Sequence, residues 1–231
     1  GNDYWGDGTY CYSNEDIEVL QNFIDNSAET LNVGAIDWYN DDGTVQWYEL
    51  GFQRWNNGKI VEFNTRFIPS WSDNVFNCNL SGEIPPNISN WTEITDLYLG
   101  YHPRSEVPLQ TLTGNIPNGL AALTKLQSLY LQSNSFSGQL PDIFEELTDL
   151  EILWLYNNNF EGQLPESLWS LTSLKQLYLE HNQFEGTISS DISNLINLEH
   201  FWINHNSLSG NIPDEIFTLN NLIKLKLNNN S

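Results

Sequence analysis

The chain has 231 residues, enough for a substantial core, and carries 30 acidic residues against 8 Lys and Arg, a formal net charge of −22. Nucleic-acid affinity rests on neutralising phosphates, and attraction to anionic membrane surfaces rests on basic residues, so this balance argues against both kinds of partner. No apolar run reaches the ~18 residues of a spanning helix, which argues against membrane insertion.

The opening GNDYWGDG is polar and the chain contains no Met, so the start reads as processed. Residues 1–13 read as irregular. Ser13 stands before NEDIEVLQNFI, with Asp16 three residues on, in the pattern of a capping box. Ile17, Leu20, Phe23 and Ile24 share one helical face, predicting a short amphipathic helix that stops near Asn26 and Ser27. AIDWY and TVQWYEL flank NDDG, and FQRW and KIVEF flank NNG, predicting two hairpins. The acidic stretch Asp37–Gly43 lacks calcium-loop spacing, since a frame ending at Gly43 would open on Trp38, and it reads as a hairpin turn. Helix and hairpins together form an N-terminal cap over residues 1–59, which shields the apolar end of the segment from Ile60 onward.

That segment is built of repeats. Leu126, Leu150, Leu174, Leu198 and Leu222 are spaced 24 residues apart, and each opens a pattern such as LEILWLYNNNFEGQLPESLWSLTS. A fixed period of this size predicts a solenoid, in which each unit buries its apolar face only against its neighbours. An earlier rung opens at Ile60 and resumes at Asn79, and the 34 residues to Ile94 imply an insertion near 68–77. The 32 residues from Ile94 to Leu126 imply another at YHPRSEVP, 101–108. About seven rungs fill 60–231. The last stops after the strand of Leu222, Leu225 and Leu227, which predicts a continuing chain or an edge covered by another molecule.

Within LxxLxL the leucines point inward. Asn134, Asn158, Asn182, Asn206 and Asn230 occupy a turning slot, where the amide is expected to bond the backbone of the next rung. Gly82, Gly114, Gly138, Gly162, Gly186 and Gly210 occupy a slot needing unusual backbone freedom. Proline favours an extended return, and Ile188-Ser189, which breaks the Ile/Leu-Pro pattern, predicts a slight bend in its rung.

The sequence LxxLxLxxNxFxGxIPxxLxxLTx resembles the plant-type leucine-rich repeats of receptor-kinase ectodomains and polygalacturonase-inhibiting proteins, from about Ile60 to Ser231. The cap is similar as well: DIEVLQNFID, a Trp-rich segment, then GKIVEF. It departs from the plant pattern in that Trp47–Phe52 lacks the flanking cysteine pair, and similar repeats also occur in secreted microbial proteins. The resemblance implies an α/β repeat fold with a parallel concave β-sheet, a 3-10 or extended convex side and a helix-hairpin cap. It also implies an extracellular or cell-surface recognition module that uses the concave sheet.

Two readings of the cysteines stay open: a Cys11–Cys78 disulfide tying cap to first rung, or a buried thiol at Cys78, which fills the Asn slot. Asn79, Asn87, Asn90 and Asn229 head glycosylation sequons, Asn79 being the least accessible.

One outward slot per strand is aromatic in five consecutive rungs: Tyr98, Tyr130, Trp154, Tyr178 and Trp202, followed by Lys226. At ~4.8 Å per rung the five span roughly 19 Å. Tyr156 widens the column; Glu180, His181 and His205 lie beside it. Aromatics also stack on one another in strands, but a solvent-facing stripe of Tyr and Trp is a recognition surface by composition. No HExxH, GxSxG or phosphate loop occurs, so neither metal, cofactor nor catalysis is expected. The expected partner is a protein or peptide held on the column, with carbohydrate binding and self-assembly through the open C-terminal edge as alternatives.

Overall fold

The computed structural model describes residues 13–27, 52–57, 59–67, 76–77, 80–100 and 112–231. The hairpin around NDDG, the Asp37–Gly43 turn, Cys11, Cys78, Asn79 and the 101–108 insertion lie outside them.

Helix α1 spans Asn14–Asn26 with Ser13 at its N-cap. Ser13 makes no side-chain cap bond; its hydroxyl accepts from Lys59 Nζ at 2.9 Å. Asp16 closes no capping box either. It is fully buried and accepts from Lys59 Nζ at 2.8 Å and from the Ile60 amide at 2.9 Å. A carboxylate removed from water needs such partners, and here they belong to the sheet strand that begins at Lys59 rather than to the helix. The buried face is Val19, Leu20, Phe23 and Ile24, with Ile17 only half-buried. Phe23 meets Phe63 at 5.7 Å and Trp91 at 6.0 Å, and the Trp91 indole donates to the Asp16 carbonyl at 3.1 Å.

Strand β1 (Phe52–Asn56) pairs antiparallel with β2 (Lys59–Asn64), as the NNG signal predicts, with a register irregularity at Arg54/Trp55. From β2 onward the sheet is parallel: Asp96–Tyr98, Ser128–Tyr130, Ile152–Trp154, Gln176–Tyr178, His200–Trp202 and Lys224–Lys226 come in order. The inward residues Leu129, Leu131, Leu153, Leu155, Leu177, Leu179, Phe201 and Ile203 are all buried. Each contributes roughly 1.5–3 kcal/mol, so the sheet is held from its inner face. The insertion after β2 is bracketed by a short antiparallel pairing of Arg66–Phe67 with Phe76–Asn77.

The Asn slot forms a hydrogen-bonded ladder that runs backward rather than forward. Asn158 Oδ1 accepts from the Phe136 amide at 3.1 Å, and its Nδ2 donates to the Leu131 and Leu155 carbonyls at 3.0 Å each. Asn182 and Asn206 repeat this geometry. The direction follows from the turn, which brings the amide beneath the strand end of the preceding rung.

The return side holds more order than expected. Beyond the 3-10 helices at 86–90, 118–122, 144–146, 166–170, 190–194 and 214–218, the segments after Asn134, Asn158, Asn182 and Asn206 pair with Thr113–Gly114 into a second, five-stranded parallel sheet. Gly162 and Gly186 sit in the strands of this sheet at φ of 74° and 80°, a region that disfavours any side chain. The bend predicted at Ile188-Ser189 is absent. Ser189 takes φ −67° and ψ 148°, matching Pro165 at −68° and 148°, and its hydroxyl accepts from the Asp191 amide at 3.2 Å. The shortened helix is instead Phe144–Glu146, where Ser167 Oγ of the next rung takes up the Phe144 amide. The fold is a leucine-rich-repeat solenoid with one N-terminal helix.

Candidate functional site: the concave face

Parallel pairing brings the aromatic slot into one column. Asn64, Tyr98, Tyr130, Trp154, Tyr178, Trp202 and Lys226 are register partners from strand to strand. The rings pack on each other. Tyr98–Tyr130, Trp154–Tyr178 and Tyr178–Trp202 stack at 4.4, 5.1 and 4.3 Å, and Tyr130 meets Trp154 edge-on at 4.8 Å. Lys226 Nζ lies 3.3 Å from the Trp202 ring centroid and closes the stack with a cation–π contact. The column is therefore half-buried, and Tyr178 is buried. Most ring faces are occupied by neighbouring rings, leaving edges and hydroxyls toward the concave side.

Two of the polar ring ends are tied down. Tyr178 Oη shares a 2.7 Å hydrogen bond with His200 Nδ1, and the Trp154 indole donates to Gln176 Oε1 at 3.2 Å. Lys175 and Glu151 form an ion pair at 2.6 Å on the flank. Burial and the neighbouring Tyr130, Asp96 and Glu62 push the Tyr98 phenol up to about 12. Burial also raises Tyr130, Tyr156 and Tyr178, so the column presents neutral hydroxyls throughout the physiological range.

A second outward column runs two residues further along each rung: Gly100, Gln132, Tyr156, Glu180 and Asn204. Gln132, Glu180 and Asn204 are buried, and Gln132 Oε1, Glu180 Oε2 and Asn204 Oδ1 have no hydrogen-bond partner. Trp202 Nε1 is likewise buried without an acceptor. Burial holds the Glu180 carboxyl up at about 7; a backbone hydrogen bond and Lys226 oppose the rise only in part. Sequence reasoning named Glu180 but missed Gln132 and Asn204, because amides in a polar-looking slot carry no signal of burial.

His181 and His205 stand at the rim, one residue beyond this column. Ser133, Asn157, His181, His205 and Asn229 share left-handed backbone, φ 54° to 57°, where the chain leaves the strand. Asn and His tolerate that region better than most residues, which accounts for the composition of the slot. The two imidazoles stack at 4.2 Å, and His205 also contacts the Asn229 amide at 2.9 Å. Burial and His205 hold the His181 imidazole below its ordinary value. Among the described residues no group of three or more His, Cys, Asp or Glu gathers as a metal site. Of the sequons, Asn87 accepts from Asn22 at 3.0 Å, Asn90 donates to the Glu15 carbonyl at 3.5 Å, and Asn229 touches His205.

Comparison with known proteins agrees with the repeat. Residues 116–184 match a leucine-rich repeat family model, and residues 197–219 match a second one. No curated protein sequence matches the chain. Among solved structures, PEPR1–AtPEP1 is similar over 95% of this chain at 28% identity and a TM-score of 0.75. The ectodomain of the Arabidopsis receptor kinase HAESA, complexed with an N-terminally extended IDA peptide hormone, is similar over 65% at 31% identity and a TM-score of 0.55. A plant ice-binding protein is similar over 89% at 28% identity and a TM-score of 0.67. The chain spans 28% of the PEPR1 chain, 28% of the HAESA chain and 60% of the ice-binding protein.

Proposed function

We propose that this chain is a recognition module that holds a protein or an extended peptide along its concave face, and that it catalyses no reaction. The observation that carries the reading is the register of five aromatic residues over consecutive strands, bordered by a second column with unpartnered polar atoms. Aromatic edges supply apolar contact area already fixed in position, so little side-chain entropy is lost on binding. Unpaired donors and acceptors match the polar backbone of an extended chain. A receptor ectodomain of similar fold that holds a peptide hormone supports the same use here.

Carbohydrate is the weaker occupant, because a sugar stacks on open ring faces and these rings largely cover one another. Self-assembly through the C-terminal edge, where Phe217, Ile223 and Leu225 are exposed, is the other alternative and would leave the concave face free. The net charge of −22 and the likeness to a receptor ectodomain support an extracellular or cell-surface setting, in a plant-type or secreted microbial relative of such proteins. We take residues 1–59 as the cap and 60–231 as the solenoid, with the Cys11–Cys78 bond and glycosylation at the four sequons as features to be measured by mass spectrometry.

The test is selection of a random peptide library on the immobilised chain, alongside a glycan array. Peptide binders should emerge, and Tyr156→Ser combined with Trp154→Leu should weaken them about tenfold or more, as loss of interface anchors does. Binders that ignore both substitutions, or retention on glycans alone, would overturn the reading.

A further inference from the structure

Glu180 and Asn204 are equivalent residues of adjacent rungs, joined by the hydrogen bond from the His181 amide to the Asn204 carbonyl at 3.1 Å. Their side chains leave the backbone about one strand spacing apart, ~4.8 Å. Both lie on the same face as Tyr178 and Trp202, by the alternation of strand residues. Both are more than nine-tenths buried, at 8% and 7% exposure, and each keeps an acceptor oxygen without a donor. The Trp202 indole N–H is buried beside the same column without an acceptor.

A buried polar atom left unpaired is costly, and native proteins retain few of them. Here they belong to neighbouring residues of one face, and they are unbalanced: two acceptors, one belonging to a carboxyl group, against one donor. Such a place calls for a ligand group rich in donors and positively charged, with a carbonyl close behind it. Guanidinium fits: it carries five N–H donors in a rigid plane, can bridge two acceptors a strand spacing apart, and has no acceptor of its own to leave unpaired. A backbone carbonyl of the same peptide would satisfy the indole.

We infer that Glu180, Asn204 and Trp202 form a subsite for the guanidinium of an arginine in a bound peptide, Glu180 and Asn204 accepting its N–H groups and Trp202 Nε1 donating to a neighbouring carbonyl. This rests on the peptide-binding reading of the concave face and adds the side chain it selects. The surroundings agree. Tyr156 and Tyr178 flank Glu180 with neutral hydroxyls, and Lys226 is engaged over the Trp202 ring. Gln132, the other unpartnered amide of the column, lies across Gly100, where a Cβ would collide with it, and so belongs to a different part of the face. A carboxyl held near neutrality by burial is one that an incoming cation would ionise.

The experiment titrates the whole ¹⁵N-labelled chain with N-acetyl-arginine methylamide and with the neutral N-acetyl-citrulline methylamide. The readout is the Trp202 indole resonance, assigned with Trp202→Phe. The arginine compound should shift that resonance saturably and bind about tenfold or more tighter than the citrulline compound, and Glu180→Gln should remove the difference. Equal shifts from both compounds, or an unchanged preference in a folded Glu180→Gln chain, overturn the subsite. So does the lack of any shift up to the solubility limit, the result if ordered water alone satisfies these atoms. The two readings fail separately. Groove-binding peptides without basic residues would remove the subsite and leave the groove, whereas a positive arginine titration with no selected peptide would do the reverse.

Discussion

Glu180 is a side chain that works against stability once it ionises. Its ordinary value is 4.5 and its folded value is about 7, so between these the folded state holds a proton that the unfolded state releases. The stability supplied by the neutral form is complete below about pH 4.5 and is lost as pH rises through about 7. Glu180→Gln, which cannot ionise, should therefore match the parent near pH ~4 and exceed it by roughly 2–3 kcal/mol near pH ~8. Denaturant melts at the two pH values measure this, and a parent chain that gains stability over the same interval would show the opposite linkage. The sequence placed a Glu in an outward slot; it held no sign that the side chain is buried there.

At the scale of elements, α1 and β2 meet at a buried carboxylate. Asp16 holds Lys59 and the Ile60 amide at once, and Lys59 is still one-third exposed. Asp16→Ala leaves the Ile60 amide without its acceptor and Lys59 without its closest carboxylate, and should cost about 2–4 kcal/mol. Hydrogen exchange should show that loss first in α1 and β2, with the rungs after Leu126 little changed, as expected where each repeat contacts only its neighbours. Uniform loss across all rungs would mean that the chain unfolds as one unit. The helix itself was legible from Leu20, Phe23 and Ile24. The role of Asp16 was not, because a capping box and a long-range ion pair look alike three residues after a serine. The second sheet was also hidden: short segments such as NFEGQ pair only when their equivalents are stacked alongside.

For the whole molecule, charge and repetition set the behaviour. A net charge of −22 on one chain is self-repelling, and salt screens that repulsion at separations beyond a Debye length of ~10 Å at 0.1 M. Added sodium chloride from ~0.02 to ~0.5 M should raise the melting temperature by several degrees, most at the low end of the range. A flat or falling response would show that attractive pairs such as Lys175–Glu151 dominate instead. The frame does not choose the ligand. Similar solenoids hold a peptide hormone in one protein and bind ice in another, so function here has to be read from the outward slots.

The spacing of Leu126, Leu150, Leu174, Leu198 and Leu222 determined the solenoid, its inward face and the register of Tyr130, Trp154, Tyr178 and Trp202, because a fixed period forces equivalent residues to become neighbours. Only the tertiary structure decided what those neighbours do. It turned the aromatic stripe into a self-packed stack, ran the Asn ladder backward, and buried Glu180, Asn204 and the Trp202 indole without partners. The reason is physical: a period fixes where side chains start, while burial and pairing depend on where they end, and that is set by atoms of adjacent rungs.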